Sequence, residues 1–81
     1  MTGLRKRSVN LVGHATSLAL EPEFWAVLEA AAAAGGQSLA ALIQSVDRER
    51  GERPLASACR VFALEHVAQT TASGQATRAI D

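Results

Sequence analysis

The run Thr16-Ser17-Leu18-Ala19-Leu20-Glu21-Pro22-Glu23-Phe24-Trp25 passes from an alternating pattern straight into a helix start, with no loop between them. Leu18 and Leu20 repeat at the period of two that a half-buried strand needs, and Pro22 has the fixed φ favoured at the first helical position. A lone strand leaves unpaired amides and carbonyls along its edges and demands a partner. No second long strand follows in the chain. The expected partner is therefore the same strand of another copy, which would place a two-stranded ribbon on a helical dimer. Upstream, Ser8 to Val12 also alternates, with Val9 and Leu11 on one side and Ser8 and Asn10 on the other. Its apolar positions are odd-numbered where those of Thr16 to Leu20 are even. A bulge or turn must then lie at Gly13-His14, and an intrachain hairpin stays open as a second arrangement.

A chain of 81 residues makes one domain. So short a chain exposes much of its surface, which favours a dimer with one shared core. Hydrophobic residues are 48% of the total, which marks a globular chain, and aromatics only 4%, so the core is small and aliphatic, with Phe24, Trp25 and Phe62 as its expected anchors. Cys59 is the single cysteine, which excludes an internal disulfide framework and fits a reducing compartment. Its plainer role is a small buried thiol on a helix. Arg5-Lys6-Arg7 resembles the charged start of a secretory signal, but Asn10, His14, Thr16 and Ser17 interrupt the apolar stretch after it. The expectation is a cytoplasmic protein with no membrane association.

The first helix is expected from about Pro22 to Ala34, with Phe24, Leu28 and Ala31 inward, Trp25 and Ala32 beside them, and Leu20 stapled against Trp25. Glu21 and Glu23 suit the positive end of its dipole. Gly35-Gly36 ends it, Ser38 caps a second helix, and Leu39, Leu42, Ile43 and Val46 form that helix's apolar stripe. The mixed charges, Gly51 and Pro54 of residues 47 to 54 read as a solvated helix end and turn. A third helix, about Leu55 to Val67, would turn Leu55, Ala58, Cys59 and Phe62 inward. The folded unit is then expected over residues 1–67. Residues 68–81 keep no apolar period and are expected to form a disordered tail.

The formal net charge is zero, yet residues 1 to 20 hold Arg5, Lys6 and Arg7 and no acidic residue. Positive potential is thus concentrated at one end, either as an arm for an anionic partner or as a solvated basic tail. Catalysis finds no support. His14 and His66 are far apart, Cys59 lies in an apolar stripe, zinc-ligand spacing is missing, and Gly35-Gly36 is too short to cradle phosphate. His66 reads as a dipole partner near a helix end. No enzymatic activity, metal or cofactor is expected.

The blocks Arg5-Lys6-Arg7-Ser8-Val9, Gly13-His14, Thr16-Ser17, Leu20-Glu21-Pro22-Glu23-Phe24-Trp25, Ser38-Leu39-Ala40-Ala41-Leu42-Ile43 and Arg60-Val61-Phe62, in this order, resemble a bacterial subfamily of ribbon-helix-helix DNA-binding proteins over about residues 5 to 66. The resemblance implies a mainly α fold with a short β-ribbon, an intertwined homodimer whose two-stranded antiparallel ribbon forms between copies, and an extra C-terminal helix. It also implies double-stranded DNA as partner, with outward ribbon side chains reading the major groove and the fold serving a transcriptional regulator, expected to be a repressor. By position the outward residues are Ser17 and Ala19, with Ala15 further out. Asn10, His14 and Arg7 are the nearest larger groups, Asn matching adenine and Arg matching guanine. His14 has a plainer role as a turn residue. Ser38 and Leu39 would present the start of the second helix to a phosphate, with Arg5, Lys6, Arg7 and Ser8 on the flanking backbone. Two other roles stay open: a dimerisation or protein-interaction module, favoured by the ribbon alanines and the zero net charge, and an antitoxin that engages a protein partner through its third helix.

Overall fold

The structure, a computed structural model, describes the backbone of residues 3–80 and the side chains of residues 3–71. Its elements in chain order are β1 (Arg5–Leu11), β2 (His14–Leu20), α1 (Pro22–Ala34), α2 (Leu39–Glu49) and α3 (Leu55–Ile80). The strands form a two-stranded antiparallel sheet in which Arg5 pairs with Leu20, Arg7 with Leu18, Val9 with Thr16 and Leu11 with His14. The strand expected to pair with a second copy is thus paired along one edge with β1 of its own chain. The cause is local: Val12 (φ 50°) and Gly13 (φ 81°) give the two positive φ angles of a two-residue type I′ turn, whose twist matches that of the flanking strands. A turn of this kind pairs odd positions of β1 with even positions of β2. The shift of phase seen in the sequence is therefore the turn itself, with no bulge.

This register puts Val9, Leu11, Leu18 and Leu20 on one face, where all four are buried against the helices. α2 packs on β1, α3 on β2, and α1 lies against both other helices. Leu20, Leu28, Ile43 and Cys59 are fully enclosed. Trp25 is buried as expected, whereas Phe24 and Phe62 pack only partly against the core. Ala31, Ala32, Ala58 and Ala63 take the inner helix positions instead. Small side chains there bring the helix backbones close, leaving the rings at the margin. Burial pushes the Cys59 thiol up to about 11, with the Asp47 carboxylate adding to the rise and Arg60 opposing it.

α1 starts at Pro22 and ends at Gly35-Gly36. Gly36 has φ 68°, its N–H donates to the Ala33 carbonyl, and the Gln37 N–H donates to that of Ala32. This pairing closes the last turn of a helix on a left-handed residue that glycine adopts without strain. The chain then turns through 101° into α2. Ser38 caps α2, its Oγ accepting from the Ala41 N–H at 3.1 Å.

α3 runs beyond the end expected near Val67 and continues to Ile80. Ala and Gln favour a helix without any apolar period, and no proline stops it. The side chains of the expected tail lie outside the described residues from 72 onward. His66 consequently sits within the helix and stacks on Phe62, ring centroids 6.2 Å apart, so the helix-end role expected for it does not apply. Among the described residues, no single helix is long and apolar enough to cross a membrane.

Candidate nucleic-acid interface

The face of the hairpin opposite the core carries three cross-strand pairs: Lys6 with Ala19, Ser8 with Ser17, and Asn10 with Ala15. Lys6, Ser8, Asn10, Ala15 and Ser17 are exposed and Ala19 is half-buried. Side chains in one such row repeat every two residues, about 7 Å apart. The two rows differ in chemistry. β1 offers an ammonium, a hydroxyl and a carboxamide, while β2 offers one hydroxyl between two methyl groups. Since residues 3 to 20 include no Asp or Glu, nothing on the hairpin repels an anion.

The pleat divides the basic run that looks continuous in sequence. Lys6 points outward, whereas Arg7 lies on the helix side, where its guanidinium stacks 4.7 Å above the centroid of Trp25 and bonds Glu29 Oε2 at 2.9 Å. Trp25 Nε1–H in turn donates to the Arg5 carbonyl at 2.8 Å. Together these contacts tie β1 to α1, and Arg7 is placed to brace the ribbon. The Arg5 side chain is exposed at the start of β1, and His14 is exposed at the first position after the turn. No sequence period connects Arg5 or Arg7 to Trp25, so no local pattern signals this brace. Ser38 is exposed at the start of α2, Leu39 beside it is half-buried, and the first turn has no acidic residue.

A second brace ties α3 to the strand-to-helix junction. Arg60 Nε donates to Glu21 Oε1 at 2.9 Å, and its guanidinium lies 5.8 Å from the centroid of Phe24. Glu21 is the N-cap of α1, yet its side chain makes no capping bond. The hydrogen bond from Arg60, helped by one from the backbone, holds this carboxyl below its ordinary value of 4.5. A carboxylate with a depressed folded-state pKa stabilises the fold fully above the ordinary value and loses that contribution as pH falls through the depressed one. Thermal melting below pH 4.5 should therefore fall less steeply with acid in Glu21→Gln than in the native chain, and equal slopes would show that the pair is not coupled to folding.

Residues 4–67 match the family model described as a ribbon-helix-helix domain. The chain belongs to the ribbon-helix-helix domain family. Proteins of this family are in general DNA-binding regulators that form dimers. A similar solved structure is that of an uncharacterized protein from Bordetella pertussis Tohama I, with a TM-score of 0.77 and 36% identity over 88% of this chain. The match spans 61% of that chain, less than two thirds of its length. No curated protein matches. In ribbon-helix-helix terms β2 is the strand that leads into the first helix, α1 and α2 are the two helices, and α3 is an addition that packs against β2 and both of them.

Proposed function

We propose that this ribbon-helix-helix protein is a sequence-specific transcriptional regulator of the bacterial cytoplasm, acting as a homodimer and repressing by occupying its site in double-stranded DNA. The observation that carries the reading is the register, which gathers Lys6, Ser8, Asn10 and Ser17 on one exposed, acid-free face of a two-stranded ribbon. A ribbon of this width fits the major groove, where every base pair has its own pattern of donors and acceptors. Asn10 suits adenine, Lys6 suits guanine or a phosphate, Ser8 and Ser17 donate or accept, and Ala19 meets a thymine methyl. Ser38, Leu39 and the amides that open α2 would hold a backbone phosphate, with Arg5 and His14 at the rim of the ribbon. Arg7, braced on Trp25, contributes by holding the ribbon in place.

The test is fluorescence anisotropy of the purified protein with duplexes from upstream of its own gene, at low and near-physiological salt. One duplex should remain tightly bound at the higher salt, with log affinity falling linearly in log salt. Weak, uniform binding that disappears at the higher salt would remove the regulator reading. The second reading, a protein-interaction or antitoxin module, would then gain. Leu64 and Val67 on α3 are exposed, and an open groove of about 590 Å³ lies between α2 and α3 around Val46 and Phe62.

A further inference from the structure

The turn that closes the hairpin decides which backbone groups of β2 are already used. A two-residue type I′ turn makes its flanking pair, Leu11 with His14, a hydrogen-bonded one, and such pairs then alternate along an antiparallel ladder. Residues 14, 16, 18 and 20 therefore direct their N–H and C=O groups to β1. Ala15, Ser17 and Ala19 direct theirs the other way, where among the described residues no strand lies.

The two edges of the hairpin differ. On β1 the outer edge belongs to Lys6, Ser8 and Asn10, and a lysine is one of the devices that keep an edge from pairing. On β2 the edge residues are Ala15, Ser17 and Ala19, with no charge, proline or bulge to protect them. This edge is also complementary to itself. When a second β2 runs antiparallel with Ser17 at the centre, Ser17 meets its counterpart and Ala15 meets the partner's Ala19. Every edge residue then gives and receives a hydrogen bond, and only small side chains oppose one another on the outer face. On the inner face Leu18 meets the partner's Thr16, and no like charges are brought together.

We infer that the nucleic-acid surface is a four-stranded sheet built from two copies, in the order β1, β2, the partner's β2 and the partner's β1, joined at Ser17. This rests on the DNA-binding reading and deepens it, because one chain holds only half of the site. The register fixes the composition of the surface. Ser8, Ser17, the partner's Ser17 and the partner's Ser8 make a line of hydroxyls across its middle, and the next line runs from Lys6 over Ala19 to the partner's Ala15 and the partner's Asn10. Three strand spacings set the outer strands about 14 Å apart, against a major groove about 12 Å wide. Ser17 then stands over the middle of the groove, and Lys6 and Asn10 of each copy stand near its walls. β1 thus adds to each margin a polar row that a ribbon of two β2 strands alone would lack.

Disulfide trapping of the full chain under mild oxidation is the test. The two Ser17 Cα atoms would lie about 5.5 Å apart, within the span a disulfide bridges, and the two Ser8 Cα atoms about 14 Å apart, beyond it. Cys59 is fully enclosed and stays out of the reaction. Ser17→Cys should run as a covalent dimer without reductant, and Ser8→Cys as a monomer. The trapped dimer should bind a duplex selected from a random pool by the native protein at least as tightly as that protein does, with no loss on dilution. Ser17→Pro removes an N–H that only the second copy would use. It should keep the native circular dichroism, sediment as a monomer and lose affinity about 100-fold, the lower end of what joining two half-sites gives. Trapping of Ser8→Cys in place of Ser17→Cys, or of both equally, overturns the arrangement, as does a trapped Ser17→Cys dimer that no longer binds the selected duplex. If Ser17→Cys is trapped but the native protein selects no duplex, the four-stranded sheet stands, and its use on DNA falls together with the regulator reading.

Discussion

Trp25→Ala is expected to cost about 3–5 kcal/mol, the range for removing a large buried aromatic. Trp25 is 3% exposed and stands where α1 meets β1. Its ring is part of the buried core and takes the Arg7 guanidinium on one face. Its Nε1–H satisfies the Arg5 carbonyl at the ribbon's first residue. Small domains are stable by roughly 0.05–0.15 kcal/mol per residue, which for this length is about 4–12 kcal/mol in all. The loss therefore removes much of that total, and the variant should melt tens of degrees lower or fail to fold. Trp25→Phe separates the causes. It keeps most of the apolar volume but removes the hydrogen bond to the Arg5 carbonyl, so a smaller loss of about 0.5–1.5 kcal/mol is expected. Urea denaturation followed by far-ultraviolet circular dichroism reads both. A Trp25→Ala midpoint close to that of the native chain would show that the hairpin is held by its aliphatic face alone.

What the sequence discloses and what it conceals divide along the range of the interactions. The ends of α1 are legible because they are written in adjacent residues, Pro22 at one end and Gly35-Gly36 at the other. The Ser38 cap and the Leu42, Ile43 and Val46 stripe are legible for the same reason. The outward positions Ser8, Asn10, Ser17 and Ala19 follow from alternation alone, and the register of the hairpin sets all four on one face. The partner of β2 is concealed because Val-Gly lacks the usual signal of a type I′ turn, although the opposite parity of the two apolar patterns is already its signature. The true end of α3 is concealed because a missing apolar period says nothing about Ala and Gln, which favour helix on backbone grounds. Arg7 groups with Lys6 as a neighbour in the chain, and only the tertiary contact with Trp25 and Glu29 separates their tasks. The Glu21–Arg60 pair spans 39 positions and leaves no trace in any local pattern.

That separation of Lys6 from Arg7 gives a second large effect, on binding. If the outward face reads DNA, Asn10→Ala should cost about 1–3 kcal/mol on the preferred duplex, roughly 5- to 150-fold in affinity, and should relax selectivity at one base pair. Lys6→Ala should weaken all duplexes to a similar degree if it meets a phosphate, reducing the salt slope by about one. Arg7→Ala should behave differently, although it removes the same charge from the neighbouring position. Its ion pair with Glu29 has side chains 39% and 54% exposed, so the pair itself contributes little, and the loss of the guanidinium from the Trp25 ring should appear first in the melting temperature. A comparison of the three variants by anisotropy at several salt concentrations, with melting measured on the same samples, separates reading from bracing. Should Arg7→Ala lower the salt slope as much as Lys6→Ala while melting normally, Arg7 would have to leave Trp25 for a phosphate when DNA is present. The ribbon would then be gripped from both of its faces, and the brace seen in the free chain would be a contact that DNA replaces.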